Sequence, residues 1–476
     1  MIRKISKIFM LCIMSLLFVS SVSYLVRNGG IRFCTGAANL LYDIKLSQIM
    51  NGLVFVVFFA SLTITYLLIV KKSEQESFKK IFVFIAIISF IAVLILPNNS
   101  TDVFYYMGSG RLDAKYNLNP YENLFCDNQA QHMDDNIVAS APSLKTNFLY
   151  GSLWAFICRV MSSIPVNNEI TMLLIFKFAN FIIHILSCFM IFKMTKSKKM
   201  VLLYGLNPLI LYEGLINCHN DLFMVFFIIS ALFFKHEKKT GLAVMSLALG
   251  ALIKYVPVLL LPYIIFGDKV RIKEFEKIRI WFVQKVLKKK DTSEDIKLVP
   301  LKQVLLYVVE FISIFFGISI LIMGNAKYIL TFMQQTTNLM NSMYLALYMG
   351  NLPVDTVHKI LMLVFVVVYI ISVLKSNKSS VYQNILLLFL IIIISNFRTW
   401  YLMWIIALIP VLEKKNIIGT LIICIGAELA NFIMFFLGEA YVFGVHYFCL
   451  LMLSICVGEM VMLYLKSNSK TRKEIV

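Results

Sequence analysis

The sequence predicts an all-α membrane protein that crosses the bilayer about 12 to 14 times. Of its 476 residues, 60% are hydrophobic and only 15% are charged, and the mean hydropathy is +0.82. A soluble protein of this size could not bury so much apolar surface. Apolar stretches of ~20 residues, the length that spans a bilayer core, also recur along the whole chain.

The apolar runs, read together with the charges between them, give the predicted spans. The first run has a basic lead-in but lacks a clear small-x-small cleavage site, so we predict a retained span rather than a signal peptide. In 241–266, Lys254 and Pro257 interrupt the apolar run, which favours two short helices that enter the membrane and return. The spans are predicted near 8–26, 50–70, 80–97, 170–192, 200–216, 221–235, 241–266 (the broken pair), 301–323, 359–375, 381–395, 400–412, 416–437 and 441–465.

Lysine and arginine give a net charge of +19, and they cluster in the short gaps between spans. Examples are "KKSEQESFKK" at 71, "KMTKSKK" at 193 and "KHEKK" at 235. By the positive-inside rule these gaps are cytoplasmic. We therefore expect both termini in the cytoplasm, a multi-pass protein of the cell membrane, and the lipid bilayer rather than nucleic acid as its partner.

The same rule places residues 98–148 outside as a loop. Residues 149–164 are apolar, but a crossing there would put the basic cluster at 193 outside. They are therefore predicted as an interfacial helix on the outer surface, anchored by Tyr150 and Trp154.

The chain is predicted to form a single membrane domain, 1–476, with a catalytic module over 98–430. A basic cytoplasmic loop, 267–300, carries aromatic residues at roughly helical spacing. This loop is typical of a helix that lies on anionic lipid, and a regulatory partner site is the alternative.

Nine cysteines are scattered without a CxxC pair or a metal-ligand spacing, and most lie in spans. Cys34 and Cys126 fall in predicted outer loops. Nothing in their spacing decides whether they pair.

Three polar clusters at predicted outer ends of spans come from distant parts of the chain. One is the segment that begins at Asp102, the second is "EGLINCHND", and the third is "SNFRTWYLMW". Because all three clusters are predicted at the same depth of the membrane, they could form one shared pocket. Their candidate substrate-binding residues, with Lys254 from the broken pair, are Tyr105, Arg111, Asn119, Tyr121, Glu213, His219, Asn220, Asp221, Lys254, Arg398, Trp400 and Tyr401.

Most of these residues also have a structural explanation. "NPY" is an ordinary turn, and Trp400 and Tyr401 are typical of an aromatic belt at a bilayer surface. His219 and Asp221 could cap the helix that starts near 221, and Asp102 could cap a helix that starts at Val103. Glu213 and Lys254 are harder to explain in this way, because an ionisable residue within a span is costly and by default functional.

Five stretches together resemble a known family. They are "TDVFYYMGSGRLDAKYNLNPY", "LYGSLW", "LYGLNPLILYEGLINCHNDLFMVFFIISALFF", "LALGALIKYVPVLLLP" and "FRTWYLMWIIALIP". In this order they resemble the GT-C-fold glycosyltransferases that use polyprenyl-phosphate sugars, and most closely the bacterial alpha-mannosyltransferase-like branch. The resemblance covers about residues 98–412.

The resemblance implies a hexosyltransferase that takes a sugar from a polyprenyl phosphate at the outer leaflet and gives it to a glycan or glycolipid. It also implies that an acidic residue just after a span, here Asp102, acts as general base. Some relatives carry an Asp-x-Asp pair, but Val103 and Phe104 follow Asp102 here. No metal and no cofactor are therefore expected.

The chemistry gives the other residues their expected roles. Desolvation near lipid is expected to raise the pKa of Asp102 and make it a better base. The departing phosphate needs cations in a water-poor pocket, for which Arg111, Arg398 and Lys254 are candidates and His219 is a possible donor. Arg398 is favoured because a guanidinium can bind two phosphate oxygens at once. Tyrosine and tryptophan suit the apolar face of a sugar, and a single displacement would invert the anomeric centre.

Two other functions fit a chain with many spans. A transporter or flippase of lipid-linked sugars would explain the ionisable residues in spans, but no matching pair of broken helices indicates inverted repeats. A polysaccharide polymerase or ligase would favour a large basic outer loop, whereas 98–148 holds more acids than bases. The Lys- and Ile-rich composition suggests a low-GC bacterium, in which a cell wall polysaccharide or glycolipid would be the acceptor.

Overall fold

The structure is a computed structural model, and it describes residues 2–27, 48–97, 100–122, 124–267, 270–272, 277, 281, 297–329, 350, 352–375, 378–394 and 398–437. The predicted span at 441–465, Cys34 and most of the basic loop 267–300 lie outside these ranges.

Within these ranges the chain is almost entirely helical. The α-helices are α1 (Ile2–Arg27), α2 (Gln48–Lys71), α3 (Phe78–Leu94), α4 (Asp102–Tyr116), α5 (Phe125–Ala130), α6 (Asn136–Ala139), α7 (Ser152–Ser162), α8 (Glu169–Thr195), α9 (Lys198–Gly205), α10 (Asp221–His236), α11 (Thr240–Ala251), α12 (Leu261–Phe266), α13 (Leu301–Met323), α14 (Val354–Lys375), α15 (Ser379–Ile392), α16 (Met403–Ile406) and α17 (Lys414–Leu437).

Shorter elements connect these helices. A π-helix spans Ile210–Ile216. Strands β1 (Val270–Ile272) and β2 (Lys297–Val299) form a parallel pair in which Arg271 lies opposite Leu298. The 3₁₀-helices are Ser73–Gln75, Val256–Leu260, Thr399–Leu402 and Ile409–Val411.

The predicted all-α membrane fold is confirmed. Three described helices are long and apolar enough to cross a bilayer, namely α8, α13 and residues Thr356–Val373 within α14. The α9 helix and the π-helix together form a fourth candidate span, which is bent by 56° at its break. Several other described apolar helices are shorter, so the count of 12 to 14 spans stays a prediction.

Capping residues in the polar gaps set the ends of the apolar helices. The Asn168 side chain accepts a hydrogen bond from the backbone of Thr171 at 2.9 Å and so starts α8. The same helix ends where Lys196 adopts a left-handed conformation. At α3, Ser77 is the corresponding N-cap.

The segment 98–148 is more structured than a loop, since it contains α4, α5 and α6. The side chains of α4 from Val103 to Leu112 are buried. Glycines allow close approach to this segment: a Cβ on Gly110 would overlap the backbone of Cys158 in α7, and one on Gly151 would overlap the carbonyl of Leu252. The backbone of Gly151 also donates to the carbonyl of Ile253 at 3.1 Å. Tyr150 is thereby fixed beside the break that contains Lys254.

Helix α7 covers the predicted interfacial segment, and its outward side chains Phe156 and Val160 are exposed. Trp154 differs from its predicted role as a membrane anchor, because it is buried. Its ring packs against those of Tyr106 and Phe223, with centroids 5.1 Å away in both cases. Trp154 therefore joins α7 to α4 and α10 instead of facing lipid.

Candidate active site

Asp102 is the first residue of α4, at the point where the chain leaves the apolar helix α3. Its backbone N–H donates to the Ser100 hydroxyl at 3.2 Å. Its carboxylate Oδ2 lies 3.5 Å from the Tyr106 hydroxyl and 3.4 Å from the Tyr150 hydroxyl. About a third of the side chain remains exposed (32%). Asp102 therefore lies at the exposed edge of a group of polar and aromatic side chains, which we call the Asp102 recess, formed by Asp102, Tyr106, Tyr150, His219 and Trp400.

His219 lies between two carboxylates. Its Nδ1 is 3.4 Å from Asp102 Oδ2, and its Nε2 is 3.4 Å from Glu213 Oε2. The imidazole is fully buried and stacks on the Trp400 ring with centroids 3.9 Å apart and planes 18° apart. His219 therefore links the partly exposed Asp102 to the buried Glu213. The stacking on Trp400 restricts rotation of the imidazole ring.

Glu213 belongs to the π-helix, an element that is often found at functional sites. Its carboxylate is fully buried and accepts hydrogen bonds from Thr399 Oγ1 at 2.9 Å and from Asn217 Nδ2 at 2.8 Å. A buried carboxylate is tolerated only when it is paired and hydrogen-bonded. Its bond to Thr399 joins the second predicted polar cluster to the third.

Asp221 is the first residue of α10 and is also fully buried. Lys254 Nζ lies 2.6 Å from its Oδ2, and the Trp404 indole donates to its Oδ1 at 2.6 Å. Lys254 comes from the interruption after α11 and is 14% exposed. The ammonium also lies over the rings of Tyr150 and Tyr401, at 5.5 and 5.1 Å from their centroids.

These contacts bring the three predicted clusters together with Lys254, as the sequence indicated. They also argue against the alternative in which His219, Asp221 and Asp102 serve as helix N-caps. Asn220, at the N-cap of α10, makes no side-chain capping bond, and its Oδ1 instead accepts a hydrogen bond from the Tyr106 hydroxyl at 3.3 Å. Thr101, not Asp102, is the N-cap of α4.

The aromatic belt explanation also fails for part of the third cluster. Trp404 is buried with its indole on Asp221, and Trp400 supports His219. Arg398 lies beside Trp400, with its guanidinium carbon 5.7 Å from the centroid of the Trp400 ring. Tyr401 packs against Trp404 at 4.9 Å between centroids. One wall of the recess is therefore aromatic and carries a positive charge.

Four predicted substrate-binding residues lie behind the recess. Arg111 is buried in an ion pair with Asp135, 2.9 Å from Nε to Oδ2. The Tyr121 hydroxyl donates to the carbonyl of Tyr150 at 2.8 Å, and the Tyr105 hydroxyl donates to the carbonyl of Asn147 at 3.3 Å. The Asn119 side chain accepts from the backbone of Tyr121 at 3.0 Å, which closes the "NPY" turn. The bond from Tyr121 holds the backbone of Tyr150 in the recess, whereas the hydrogen bonds of the other three are to residues outside the recess.

The sequence did not lead us to a row of polar side chains along α8. These side chains bond to the bent pair formed by α9 and the π-helix. Lys177 Nζ donates to the carbonyls of Ile95 and Ile216, the latter at 2.9 Å. One turn on, Asn180 donates to the carbonyl of Gly214 at 2.8 Å, and His184 lies 3.2 Å from the carbonyl of Gly205. The signal was the spacing of polar residues three and four apart in an apolar span, which places them on one face.

The charges around the recess decide the pKa values of Asp102 and His219. Burial alone would raise the pKa of Asp102, but His219, together with Lys254 and Arg398, outweighs burial and holds this pKa below its ordinary value. The expectation that desolvation leaves the pKa of Asp102 raised is therefore wrong. Burial would lower the pKa of His219, but the carboxylates of Asp102 and Glu213 raise it to about 9. At neutral pH Asp102 is ionised and His219 is protonated.

The raised pKa of His219 predicts how stability depends on pH. Its folded pKa of about 9 exceeds the ordinary value of 6.5, so the ionic contacts of His219 contribute fully below pH ~6.5. This contribution is lost as the pH rises through the folded pKa. We expect unfolding in detergent to show a fall in stability over this interval in the parent and a smaller fall in His219→Gln. His236→Gln, at an exposed histidine, is the control; equal pH dependence in the parent and His219→Gln would contradict the assignment.

In the part of the chain that the structure describes, no three His, Cys, Asp or Glu side chains are grouped as metal ligands would be.

One family model matches the chain. It is the MptA/B family model, described as alpha-(1->6)-mannopyranosyltransferase, N-terminal domain, and it matches residues 14–267. No curated protein and no solved structure matches the chain. The family match covers more than half of the 476 residues and includes Asp102, Glu213, His219 and Lys254. The chain therefore belongs to the MptA/B family of alpha-(1->6)-mannopyranosyltransferases and is a membrane glycosyltransferase.

Proposed function

We propose that the protein transfers mannose from a polyprenyl phosphate to a hydroxyl of a cell-surface glycan or glycolipid, with Asp102 as general base. The observation that supports this most strongly is the difference in solvent exposure among the carboxylates of Asp102, Glu213 and Asp221. Glu213 and Asp221 are fully buried, and both accept short hydrogen bonds. Asp102 is 32% exposed and can therefore meet an incoming hydroxyl.

In the proposed reaction the acceptor hydroxyl donates its proton to the Asp102 carboxylate as its oxygen attacks the anomeric carbon. The bond from that carbon to the phosphate oxygen breaks, and polyprenyl phosphate leaves with the electron pair. A single displacement of this kind inverts the anomeric centre. A positioned base contributes typically ~10²–10⁴-fold in rate.

His219 supports Asp102 in this proposal without contacting the sugar. As a protonated imidazole between Asp102 and Glu213, it keeps Asp102 ionised and turned toward Tyr106 and Tyr150. The low pKa of Asp102 makes it a weaker base than the sequence suggested, but it is ionised over the whole neutral range. Proximity and orientation of the hydroxyl would then supply more of the rate than base strength.

The leaving phosphate is proposed to meet the positive charge on the aromatic wall. Lys254 lies 5.5 Å from the centroid of the Tyr150 ring, whose hydroxyl is 3.4 Å from Asp102, and Arg398 lies 5.7 Å from the centroid of the Trp400 ring. Arg398 is the proposed phosphate ligand, because a guanidinium can bind two phosphate oxygens at once, and Lys254, in contact with Asp221 at 2.6 Å, adds positive charge nearby. Trp400, which stacks on His219, and Tyr401 would line the apolar side of the sugar.

Substitutions at Arg398 test this assignment. Arg398→Ala should lower the transfer rate by about 10², the usual cost of removing one group that stabilises developing charge. Arg398→Lys keeps the charge but loses the paired hydrogen bonds, so it should remain impaired. If Arg398→Ala transfers mannose at the parent rate, Lys254 holds the phosphate instead.

The choice of donor is tested by offering the purified protein two forms of labelled mannose. Mannose on a polyprenyl phosphate should be transferred, whereas mannose on a nucleotide should not. Transfer from the nucleotide sugar alone would contradict the proposed donor. The membership of a mannosyltransferase family supports transfer over the transporter alternative.

We place the recess on the outer face, with both termini in the cytoplasm, because the basic gaps follow the positive-inside rule. The test uses intact cells, a membrane-impermeant thiol reagent and a background with Cys34→Ser and Cys126→Ser. Ala130→Cys, at an exposed position in the outer segment, should react, and Gln75→Cys, at an exposed position in a basic gap, should be protected. The reverse pattern would overturn the topology.

A further inference from the structure

A cavity of about 360 Å³ lies far from the Asp102 recess, among α1, α2, α3 and α9. It lies at the amino-terminal end of α3, whereas Asp102 follows the carboxyl-terminal end of that helix. Its walls are apolar and include Met10, Ile69 and Phe84. A cavity of this size and lining suits part of a hydrocarbon chain.

The rim of the cavity is basic. Lys7, Lys72 and Lys80 line it together with one acid, Glu76. Lys80 Nζ lies 3.2 Å from Glu76 Oε2, so these two charges offset one another. Neither Lys7 nor Lys72 has a carboxylate within ion-pair distance among the described residues. The rim therefore offers two positive charges beside an apolar cavity.

The turn that carries this rim is held in place by another lysine. Lys198, the first residue of α9, donates from Nζ to the carbonyls of Glu74 and Glu76 at 3.0 and 2.9 Å. Its Nζ also lies 3.3 Å from Glu74 Oε2. The 3₁₀-helix Ser73–Gln75 and the turn that carries Lys72 and Glu76 are thereby fixed to α9.

We propose that this cavity binds an anionic glycerophospholipid of the cytoplasmic leaflet. Its phosphate lies at Lys7 and Lys72, and the first part of an acyl chain lies against Met10, Ile69 and Phe84. Basic pockets between membrane helices on the cytoplasmic side are suited to anionic headgroups. The position in the "KKSEQESFKK" gap agrees with the orientation proposed above. This lipid site is separate from the transfer reaction, and it does not depend on the role of Asp102.

The proposal predicts selective binding that two lysines control. Purified full-length protein in neutral detergent is titrated with phosphatidylglycerol or phosphatidylcholine, and bound lipid is measured by native mass spectrometry. Phosphatidylglycerol should bind more tightly. Lys7→Gln/Lys72→Gln should weaken its binding about thirtyfold, since each basic residue near an anionic headgroup contributes about fivefold. Met10→Trp, which fills the apolar part, should weaken binding with both lysines present.

Two comparisons separate this site from non-specific attraction. Lys414→Gln/Lys415→Gln removes the same charge at exposed positions in another predicted cytoplasmic gap and should leave binding unchanged. Glycerol phosphate should compete poorly, because it carries the charge without the chain. Equal binding of the two lipids, or equal loss in the two double variants, would overturn the proposal. Mannose transfer by Lys7→Gln/Lys72→Gln in detergent should match the parent, so failure here is distinguishable from failure of the proposed reaction.

Discussion

Asp102→Asn should lower mannose transfer by at least ~10², because the amide cannot accept a proton from the acceptor hydroxyl. The amide keeps the size of the carboxyl and can still accept hydrogen bonds from Tyr106 and Tyr150. As the first residue of α4, Asp102 also interacts favourably with the helix dipole, an interaction worth typically ~0.3–1 kcal/mol. Asp102→Asn also removes one of the two carboxylates beside the buried His219, while Glu213 remains. We therefore expect expression close to that of the parent and a modest loss of detergent stability, while the transfer rate falls.

Asp113→Asn is the matched control, since Asp113 lies on the same helix but away from the recess. It pairs with Arg159 at 3.0 Å in an exposed ion pair, and such pairs contribute about 0–1 kcal/mol. Its transfer rate should remain near that of the parent. Equal losses at Asp102 and Asp113 would indicate a folding role or a shared metal, and the single-base mechanism would have to be abandoned.

Lys254→Met should destabilise the protein strongly, because it leaves the fully buried Asp221 without its cation. Breaking a buried ion pair by removing one partner costs about 3–5 kcal/mol. The bond from the Trp404 indole would remain, but it supplies no charge. The effect is measurable as a lower unfolding midpoint in detergent.

The double variant Asp221→Asn/Lys254→Met separates stability from catalysis. It removes both charges, so most of the lost stability should return. Transfer should not recover, because Lys254 belongs to the positive charge that is proposed to meet the leaving phosphate. Lys80→Met is the control for removing a lysine from an exposed pair, since Lys80 is 71% exposed; its cost should stay within about 1 kcal/mol. If Lys254→Met unfolds no more easily than Lys80→Met, Asp221 does not depend on Lys254.

The apolar helices were largely predictable from the sequence, because one long apolar run between charged gaps specifies one helix. The broken segment around Lys254 was predictable for the same reason: a lysine and Pro257 interrupt its apolar run. The structure ends α11 at Ala251 and starts the next helical turn at Val256.

The convergence of the three polar clusters was predictable only in part. Their common depth followed from the spans, but their contacts depend on how the helices pack. Arg111 shows the limit. It lies nine residues after Asp102, which is about two and a half turns of a helix, so the two side chains point to opposite faces. That separation would have been evident if the segment had been recognised as a helix rather than a loop.

The bonding partners of Lys177 and the pKa of Asp102 were not predictable from simple patterns. The π-helix exposes backbone carbonyls that α8 must satisfy, and nothing in "LILYEGLI" indicates which helix will do so. The pKa of Asp102 depends on charges from three distant segments that carry His219, Lys254 and Arg398. Sequence reasoning correctly identified the direction of the burial effect but could not compare it with these charges.

The proposed transfer reaction is tested by measuring its two products in the same tube. Purified protein is incubated with labelled polyprenyl-phosphate mannose and a glycan acceptor, and both mannosylated product and free polyprenyl phosphate are followed over time. We expect the parent to form the two products in equal amounts. Asp102→Asn should still bind the donor but form both products at least ~10²-fold more slowly. Mannosylation without matching release of polyprenyl phosphate, or an Asp102→Asn variant as fast as the parent, would contradict the proposed reaction.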